Sequence, residues 1–265
     1  NYGAHDENNR ILGLPKDGTE LDWILKQVKC PILFFDKNQV VGPSGMPKEI
    51  FNQKINTAFN NRMITYYTLI TQMRVKGGND YISYISSILN KTITEKITFD
   101  QYNFKMVTSF KKFELLLNEK EAQTGLARMV AGYAWPWISK NDKSLKDIII
   151  EGRERMWNNR TENWVHCDRA IDEVGCIHSI QGYDLNSAFV IFGNDIQYDL
   201  EKKEIVICSQ NYFDRNGKAT ASQEELLQYI RNIYYVLMTR GIEGTYLYVC
   251  NAELRDYLAN YIDVI

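Results

Sequence analysis

The sequence has little of what marks metal-binding, membrane-spanning or strongly basic proteins. Its 265 residues include three histidines and five cysteines, and with wide cysteine spacings and no CxxC pair we expect no structural zinc site. No apolar run approaches the roughly 18–20 residues that cross a bilayer. Lysine and arginine number 31 against 33 acidic residues, which is not the surplus of a basic nucleic-acid-binding domain. We therefore expect a cytoplasmic protein with reduced thiols, no bound metal and no membrane partner.

Several ligand motifs are incomplete. Residues 13–20, GLPKDGTE, have the glycine spacing of a phosphate loop but lack the lysine that follows its second glycine. Residues 214–225 have the length of a calcium loop, yet Ala219 stands where the sharp turn requires glycine. His166 adjoins Cys167 with no third group to orient a nucleophile and base. Because GxGxxG and a clear acid–base pair are also missing, a small-molecule enzyme is the weakest functional hypothesis.

The rest of the pattern predicts an α/β fold. Hydrophobic residues make up 45% of the chain, enough for a substantial core, and strand-like segments alternate with amphipathic ones. The predicted strands are residues 30–36, 104–110, 126–135, 174–180, 187–193, 204–210 and 245–250. The predicted helices are residues 21–28, 48–59, 81–90, 111–125, 224–240 and 252–262. Alternation of this kind, with continuous apolar strands such as FVIF, predicts a doubly wound, largely parallel sheet flanked by helices.

Polar side chains follow several of the apolar segments. Asp36 and Gln39 come after residues 30–35, Arg74 precedes a pair of glycines, and Thr239 and Arg240 end a predicted helix. The stretch HSIQGYD separates two strand-like runs. Each of these four polar segments has an ordinary explanation on its own: a loop end, a surface arginine, a tight turn, or a cation at the carboxyl end of a helix. Ligands of doubly wound sheets bind beyond the carboxyl ends of strands, so these loops are the candidate site.

In order and chemistry these segments resemble the motifs of superfamily 1 helicases, which are built from two RecA-like ATPase domains. LFFDKNQ resembles the third helicase motif, LITQMR the fourth, GCIHSIQGYDLNSAFVIFG the fifth and NIYYVLMTRGIEGTYLYV the sixth. The series is most similar to a bacterial branch with Schlafen-like ATPase features, known as domain of unknown function 2075, and LARMVAGYAWPW also resembles that branch. The resemblance covers about residues 25–260.

The resemblance implies roles for individual residues. Arg74 and Arg240 would be catalytic arginines that reach the terminal phosphate of ATP, and Gln39 would sense that phosphate. The nucleotide-coupling residues would be Asp36, Gln181, Gly182 and Thr239. His178 and Ser179 would lie near the backbone of single-stranded DNA or RNA. Trp135 and Trp137 would stack on bases, although packing in the core explains two tryptophans at least as well.

The family's phosphate loop and its magnesium-binding Asp-Glu pair are absent before FFDKNQ. We therefore predict a C-terminal portion, with residues 1–75 as the tail of the first RecA-like domain and residues 76–265 as the second. ATP and Mg²⁺ would bind only together with the remainder of the parent ATPase, so the chain alone would not hydrolyse ATP. The alternative is a non-catalytic RecA-like module that binds nucleic acid or a protein.

Overall fold

A computed structural model describes residues 6–59, 64–160 and 162–265 of the chain. Its strands are β1 (Asn103–Met106), β2 (Ala127–Ala131), β3 (Ile148–Ile150), β4 (Arg153–Arg155), β5 (Val174–Gly175), β6 (Leu185–Phe192), β7 (Ile196–Asp199), β8 (Glu204–Ile207), β9 (Gly241–Val249) and β10 (Asp263–Val264). Its α-helices are α1 (Asp6–Leu12), α2 (Glu20–Gln27), α3 (Lys48–Phe59), α4 (Gly78–Leu89), α5 (Phe110–Thr124), α6 (Ile177–Ile180), α7 (Arg215–Thr220), α8 (Gln223–Met238) and α9 (Ala252–Ala259).

Six strands form the central sheet in the order β10-β1-β9-β6-β2-β5, and every pairing within it is parallel. The two longest strands, β6 and β9, lie side by side at its centre, with Ala188 opposite Thr245 and Val190 opposite Leu247. Two antiparallel hairpins, β3–β4 and β7–β8, lie outside this sheet. The predicted strand at residues 204–210 is therefore real but belongs to a hairpin.

Helices cover both faces of the sheet. Helices α4, α8 and α9 contribute buried side chains to one apolar core, and α5 contributes to the other. Phe113 of α5 packs edge-on against Phe189 of β6, with ring centroids 5.1 Å apart. Each such aromatic side chain contributes about 1.5–3 kcal/mol when it is fully buried. The predicted α/β fold, with a largely parallel sheet flanked by helices, is confirmed, and the architecture is consistent with a RecA-like domain.

Local sequence explains where the two longest helices begin and end. Ser222 caps α8: its Oγ accepts from the Glu225 amide at 3.2 Å, and the Glu225 carboxylate accepts from the Ser222 amide at 2.8 Å. This reciprocal pair satisfies amides that the first turn leaves open. Helix α5 starts after Ser109 and ends at Gly125, whose φ of 69° suits a residue without a side chain. The helices predicted at residues 111–125 and 224–240 are confirmed.

Two predicted strands are wrong. The strand predicted at residues 30–36 does not form, since none of these residues pairs with a described strand. Within residues 174–180 only Val174 and Gly175 form a strand. The Ser179 Oγ accepts from the Cys176 amide at 2.8 Å, and this cap turns the chain into the four-residue helix α6. A side chain that offers the backbone a local partner stops strand pairing at that point.

The first three helices pack mainly on one another. Asn9 of α1 donates to the carbonyl of Gly18 at 2.8 Å, and Trp23 of α2 donates to Asn9. Lys54 of α3 forms an ion pair with Asp22 of α2 at 2.6 Å. The predicted domain boundary at residue 75 stays a prediction. Among the described helices, none combines the length and apolarity needed to cross a membrane.

Candidate functional site

Strand pairing brings Asp184 and Arg240 together. Asp184 stands one residue before β6 and Arg240 one residue before β9, and the first residues of these strands, Leu185 and Gly241, are register partners. The Leu185 amide donates to the Arg240 carbonyl at 3.0 Å. Because all the strands of the sheet run in one direction, both residues lie at its amino edge. This edge is opposite to the one at which ligands of parallel sheets usually bind.

Arg74 joins them from a segment far away in sequence. The Lys76 amide donates to the carbonyl of Ile242 in β9 at 2.8 Å, which fixes the chain after Arg74 beside the start of that strand. The Gln72 side-chain oxygen accepts from the backbone amide of Arg74 and so shapes the turn. The Arg74 Nε forms an ion pair with the Asp184 Oδ1. The predicted fourth, fifth and sixth motifs therefore meet at this edge.

Asp36, from the predicted third motif, completes the group. It caps the short 3-10 helix Lys37–Gln39 by accepting from the Asn38 amide at 2.9 Å. The Gln39 side-chain amide donates to the other Asp36 oxygen at 3.2 Å. Asn232 of α8 anchors this turn by donating to the carbonyls of Lys37 at 3.3 Å and Val40 at 2.8 Å. Helix α8 thus holds the third motif close to Arg240, which lies just after the end of the same helix at Met238.

We call Asp36, Arg74, Asp184 and Arg240 the arginine cluster. Arg240 is 4% exposed, and its Nε has no hydrogen-bond partner among the described residues. Burial first, and then the nearby positive charge of Arg74, lower the pKa of Arg240 to about 10, while Asp184 and Asp36 act in the opposite direction. Arg240 therefore remains charged at neutral pH. A buried N–H without an acceptor costs about 1–3 kcal/mol, so an acceptor oxygen at this place would be stabilising.

The other residues of the predicted fifth and sixth motifs differ in accessibility. Gln181 and Gly182 are exposed in the turn between α6 and β6, and Gly182 has a φ of 90°, a backbone region that favours glycine. His178 is exposed beside Tyr133, with ring centroids 6.2 Å apart. Ser179 is fully buried and its Oγ donates to the Cys176 carbonyl at 3.0 Å. Thr239 is buried and its Oγ1 donates to the carbonyl of Val236 at 3.0 Å.

The predicted base-stacking tryptophans lie at the other edge of the sheet. Trp135 follows β2, where its ring approaches Gly193. The Trp137 ring packs edge-on against Trp157 at 6.0 Å, and the Lys140 ammonium lies 5.0 Å from its centroid. The eight-residue strand β6 separates the two edges by about 26 Å, since a strand rises ~3.3 Å per residue. The structure does not bring these tryptophans to the arginine cluster.

The sequence prediction missed three contributors to the site. Asp184 was seen as part of a polar stretch but was not assigned as the partner of Arg74. Asn232 and Tyr235 lie on α8, where burial and the Asp36 carboxylate raise the pKa of Tyr235. The sequence did contain a signal for Asn232. This polar residue lies on the apolar face of α8, close to the buried Ile230 and Ile233.

This arrangement is suited to binding an anion. Two guanidinium groups side by side can hold phosphate oxygens through paired hydrogen bonds, and the two carboxylates balance their charge when no anion is present. The described residues include no group of three or more His, Cys, Asp or Glu that could hold a metal ion. The two guanidinium groups offer several N–H donors to the oxygens of one anion.

Comparison with known proteins gives the family. Residues 8–251 match the description Schlafen group 3, DNA/RNA helicase domain. An uncharacterized protein of Saccharomyces cerevisiae is 32% identical over 222 residues, which are 73% of this chain and 47% of that protein. The chain thus spans about half the length of this curated relative. No solved structure matches it significantly. With a family match over most of its length, the chain belongs to the Schlafen group 3 DNA/RNA helicase domain family.

Proposed function

We propose that this chain is the C-terminal motor portion of a superfamily 1 helicase-like ATPase. It supplies Arg74 and Arg240 to an ATP site whose phosphate loop and magnesium ligands lie in an N-terminal half. The observation that carries the proposal is the arginine cluster, in which four sequence-distant segments place two guanidinium groups at one edge of the sheet. Charge developing on a transferred phosphoryl group is stabilised by such groups.

The two arginines differ in how they are held. Arg240 is buried and charged, so it is a fixed donor. Arg74 is 38% exposed at its side chain and is paired with Asp184, which is 48% exposed. A terminal phosphate would compete with Asp184 for the Arg74 guanidinium, and the exchange of partners would report the state of the nucleotide. Gln39, bonded to Asp36, would sense the same phosphate. Bound ATP and Mg²⁺ would supply the transferable phosphoryl group and neutralise its charge.

The turn that carries Asp184 also provides the connection to nucleic acid. Gln181 and Gly182 are exposed just before Asp184, and His178 is exposed at the start of α6, beside Tyr133 at the carboxyl edge. A single strand of DNA or RNA that contacts this turn would therefore be coupled to the Arg74–Asp184 pair through three residues of chain. Buried Ser179 would act by holding α6 in place. Trp135 and Trp137, at the opposite edge, would extend the binding path by stacking.

The division at residue 75 belongs to the same proposal, with residues 1–75 as the tail of a first RecA-like domain and residues 76–265 as the second. In its support, the buried members of both apolar cores lie from Val75 onward. A cytoplasmic location and the bacterial branch also remain proposals, and the relative reported above is a yeast protein.

The test is ATP turnover by the full-length product of the gene, with and without single-stranded DNA or RNA. Arg240→Lys and Arg74→Lys should each lower the turnover strongly, since an arginine in this role contributes about 10³–10⁵-fold. Arg169→Lys, at an exposed arginine outside the cluster, is the matched control. Robust nucleic-acid-stimulated hydrolysis by residues 1–265 alone would contradict the proposal that this portion is incomplete.

A non-catalytic module is the second candidate. It is favoured by the ion pair between Arg74 and Asp184, which neutralises one of the two arginines without a nucleotide. On this hypothesis the cluster is a structural clamp, and nucleic acid or a protein binds elsewhere. A gene product without a phosphate-loop lysine would favour the module, and unchanged nucleic-acid binding by Arg240→Lys and Arg74→Lys would support it.

A further inference from the structure

Three buried hydroxyl groups surround the backbone at Arg240. They belong to Tyr81 of α4, to Tyr102 just before β1 and to Thr245 of β9, and we call these three residues the hydroxyl network. Burial raises the pKa of Tyr81 and of Tyr102 above the ordinary value of a tyrosine. Both phenols therefore keep their protons and remain hydrogen-bond donors.

The network holds the carbonyl on the helix side of Arg240. Met238 is the last residue of α8, and carbonyls in the last turn of a helix have no partner within that helix. The Tyr81 Oη donates to the Met238 carbonyl at 3.0 Å, and the Thr245 Oγ1 donates to the same oxygen at 2.9 Å. Because a carbonyl oxygen has two lone pairs, this oxygen is fully used, and the end of α8 is fixed from two other elements.

The network also holds the carbonyl on the strand side. The register of β9 against β6 shifts between Gly241 and Gly244, directly after Arg240. A shift of this kind interrupts the ladder and changes the direction of the side chains beside it. The Tyr102 Oη lies 3.1 Å from the Gly241 carbonyl and 2.7 Å from the Thr245 Oγ1. A buried hydroxyl group thus fixes the backbone where the ladder is interrupted.

The segment that carries Arg74 rests on the same two tyrosines. A Cβ at Gly77 would lie 2.7 Å from the Tyr81 Cβ and 3.2 Å from the Tyr102 Cγ, so the backbone at Gly77 passes closely over both side chains. The two rings contact each other, with centroids 4.2 Å apart. Gly77 is three residues after Arg74 in the chain. The segments that carry the two arginines therefore share one buried support.

This support matters because Arg240 is not fixed through its own Nε. That Nε has no hydrogen-bond partner among the described residues, so the place of the guanidinium depends on the backbone from which the side chain starts. The Arg240 carbonyl accepts from the Leu185 amide, and the network holds the carbonyls of Met238 and Gly241 on either side. Groups that stabilise charge in a reaction are most effective when their positions are set beforehand.

We propose that the hydroxyl network is the positioning unit of the arginine cluster. Tyr81, Tyr102 and Thr245 hold the backbone on both sides of Arg240, and the two tyrosine rings support the turn that follows Arg74. Its effect on ATP turnover rests on the proposed function, whereas the hold on Arg240 needs no nucleotide. The three residues act through Arg240 and are not themselves catalytic.

The first test uses the Arg240 Nε–H signal in the NMR spectrum of residues 1–265, identified by its loss in Arg240→Lys. Tyr81→Phe and Tyr102→Phe should shift or broaden this signal, because each removes a hydroxyl group from a carbonyl close to Arg240. Tyr84→Phe is the matched control on the same helix, since the Tyr84 Oη donates to the distant Tyr261 carbonyl at 2.8 Å. A signal that is unchanged in Tyr81→Phe and Tyr102→Phe, or equally changed in Tyr84→Phe, would overturn the proposal.

The second test is ATP turnover by the full-length gene product. Tyr81→Phe and Tyr102→Phe should lower kcat by about 10–100-fold, since a displacement of about 1 Å at a catalytic group can cost about 100-fold. The KM for ATP should change little, because the interaction is made in the transition state. Tyr84→Phe loses a buried hydrogen bond of the same kind and should keep full turnover. Lower stability alone would reduce turnover in all three variants.

Thr245 allows a rescue experiment. Thr245→Val removes the Oγ1 while it keeps the shape of the side chain, and it should lower kcat. Thr245→Ser retains a hydroxyl group and should keep kcat close to that of the unchanged protein. If Thr245→Ser lost as much turnover as Thr245→Val, packing rather than the hydroxyl group would explain the loss, and the role of Thr245 in the network would be rejected.

The proposed function fails separately. If Arg240→Lys leaves ATP turnover unchanged while Tyr81→Phe and Tyr102→Phe still change the Arg240 Nε–H signal, the catalytic role of Arg240 is rejected and the hold of the network on Arg240 remains. If Arg240→Lys lowers the turnover and Tyr81→Phe and Tyr102→Phe do not, the role of Arg240 stands and the network is rejected as its positioning unit.

Discussion

The amino edge and the carboxyl edge of the sheet use polar and aromatic residues in opposite ways. At the carboxyl edge, Tyr133 contacts Trp157 and Tyr212 edge-on, and the Tyr234 hydroxyl donates to the Asp195 carboxylate at 2.6 Å. At the amino edge, Arg240 is buried and its Nε has no hydrogen-bond partner among the described residues. Trp137 Nε1 at the carboxyl edge shares that lack of a described partner, so the two edges differ in the charge of the buried donor rather than in its being unpaired.

This difference explains why the usual rule for parallel sheets is not enough here. Ligands are expected beyond the carboxyl ends of the strands, where connecting loops diverge. In this chain the loop after β2 is packed against its neighbours instead. Trp135 lies against Gly193, which follows β6, and the Phe213 amide, in the segment after β8, donates to the Tyr133 carbonyl at 2.8 Å. Changes at the carboxyl edge should therefore affect stability, and changes at the amino edge should affect binding.

The largest expected effect is at Trp157. Its ring is 2% exposed and packs against both Tyr133 and Trp137. Trp157→Ala should lower the free energy of unfolding by about 3–5 kcal/mol, because a cavity remains where the ring was. Urea unfolding of residues 1–265 measures this, with Leu200→Ala at an exposed position as the control. A loss as small as that of the control would mean that the carboxyl edge is not the packed edge.

The next effect is a dependence of stability on pH. Burial raises the pKa of Asp195 to about 7, above the ~3.9 of an unfolded aspartate. The folded state therefore binds the extra proton, and stability should fall as pH rises from about 4 to about 7, by about 1.4 kcal/mol per pH unit at most. Asp195→Asn should remove this slope. Unfolding midpoints at several pH values measure it, and an identical slope in both proteins would exclude Asp195 as its source.

The amino edge should respond differently to the loss of a buried residue. Arg240→Met removes a charge that burial makes costly and leaves Asp184 paired with Arg74. We expect the free energy of unfolding to change by about 1 kcal/mol or less, since a buried charge replaced by an apolar side chain is often neutral or stabilising. The urea midpoint measures this beside that of Trp157→Ala. If Arg240→Met lowered the free energy of unfolding as much as Trp157→Ala does, Arg240 would be a structural residue.

Much of the fold was predictable because its signals are local. Ser109 and Gly125 bound α5, and FVIF forms the carboxyl-terminal half of β6, as its continuous apolar run indicates. The two wrong strands have different causes. Ser179 ends the strand predicted at residues 174–180 through a local cap, whereas residues 31–36 have the composition of a strand but no described neighbour to pair with. Composition alone cannot show whether that neighbour is present.

The site was predictable only in part. The order of the motifs indicated Arg74 and Arg240, but their meeting depends on the register of Leu185 opposite Gly241, which no local pattern gives. The same register places Asp184 beside the arginines. Long-range pairing therefore supplied the carboxylate that the sequence prediction left without a role.

The smallest effect on stability is expected for Asp184→Asn, which is also the most direct test of the difference between the two edges of the sheet. Asp184→Asn breaks the exposed ion pair with Arg74, and such pairs contribute about 0–1 kcal/mol, so the urea midpoint should barely move. The Arg74 guanidinium loses its competitor, however, and the affinity of residues 1–265 for inorganic triphosphate should rise. Titration calorimetry at low salt measures this affinity, because screening weakens exposed charges.

Arg74→Ala in the same background should remove the gain, and Asp172→Asn, another exposed carboxylate, should produce none. Only the amino edge is proposed to keep its charged groups available for an anion. A higher triphosphate affinity in Asp184→Asn, together with an unchanged affinity in Asp172→Asn, would therefore assign anion binding to that edge. An Asp184→Asn protein with unchanged affinity would show that the ion pair does not control access to Arg74, and the difference between the two edges would then lie in burial alone.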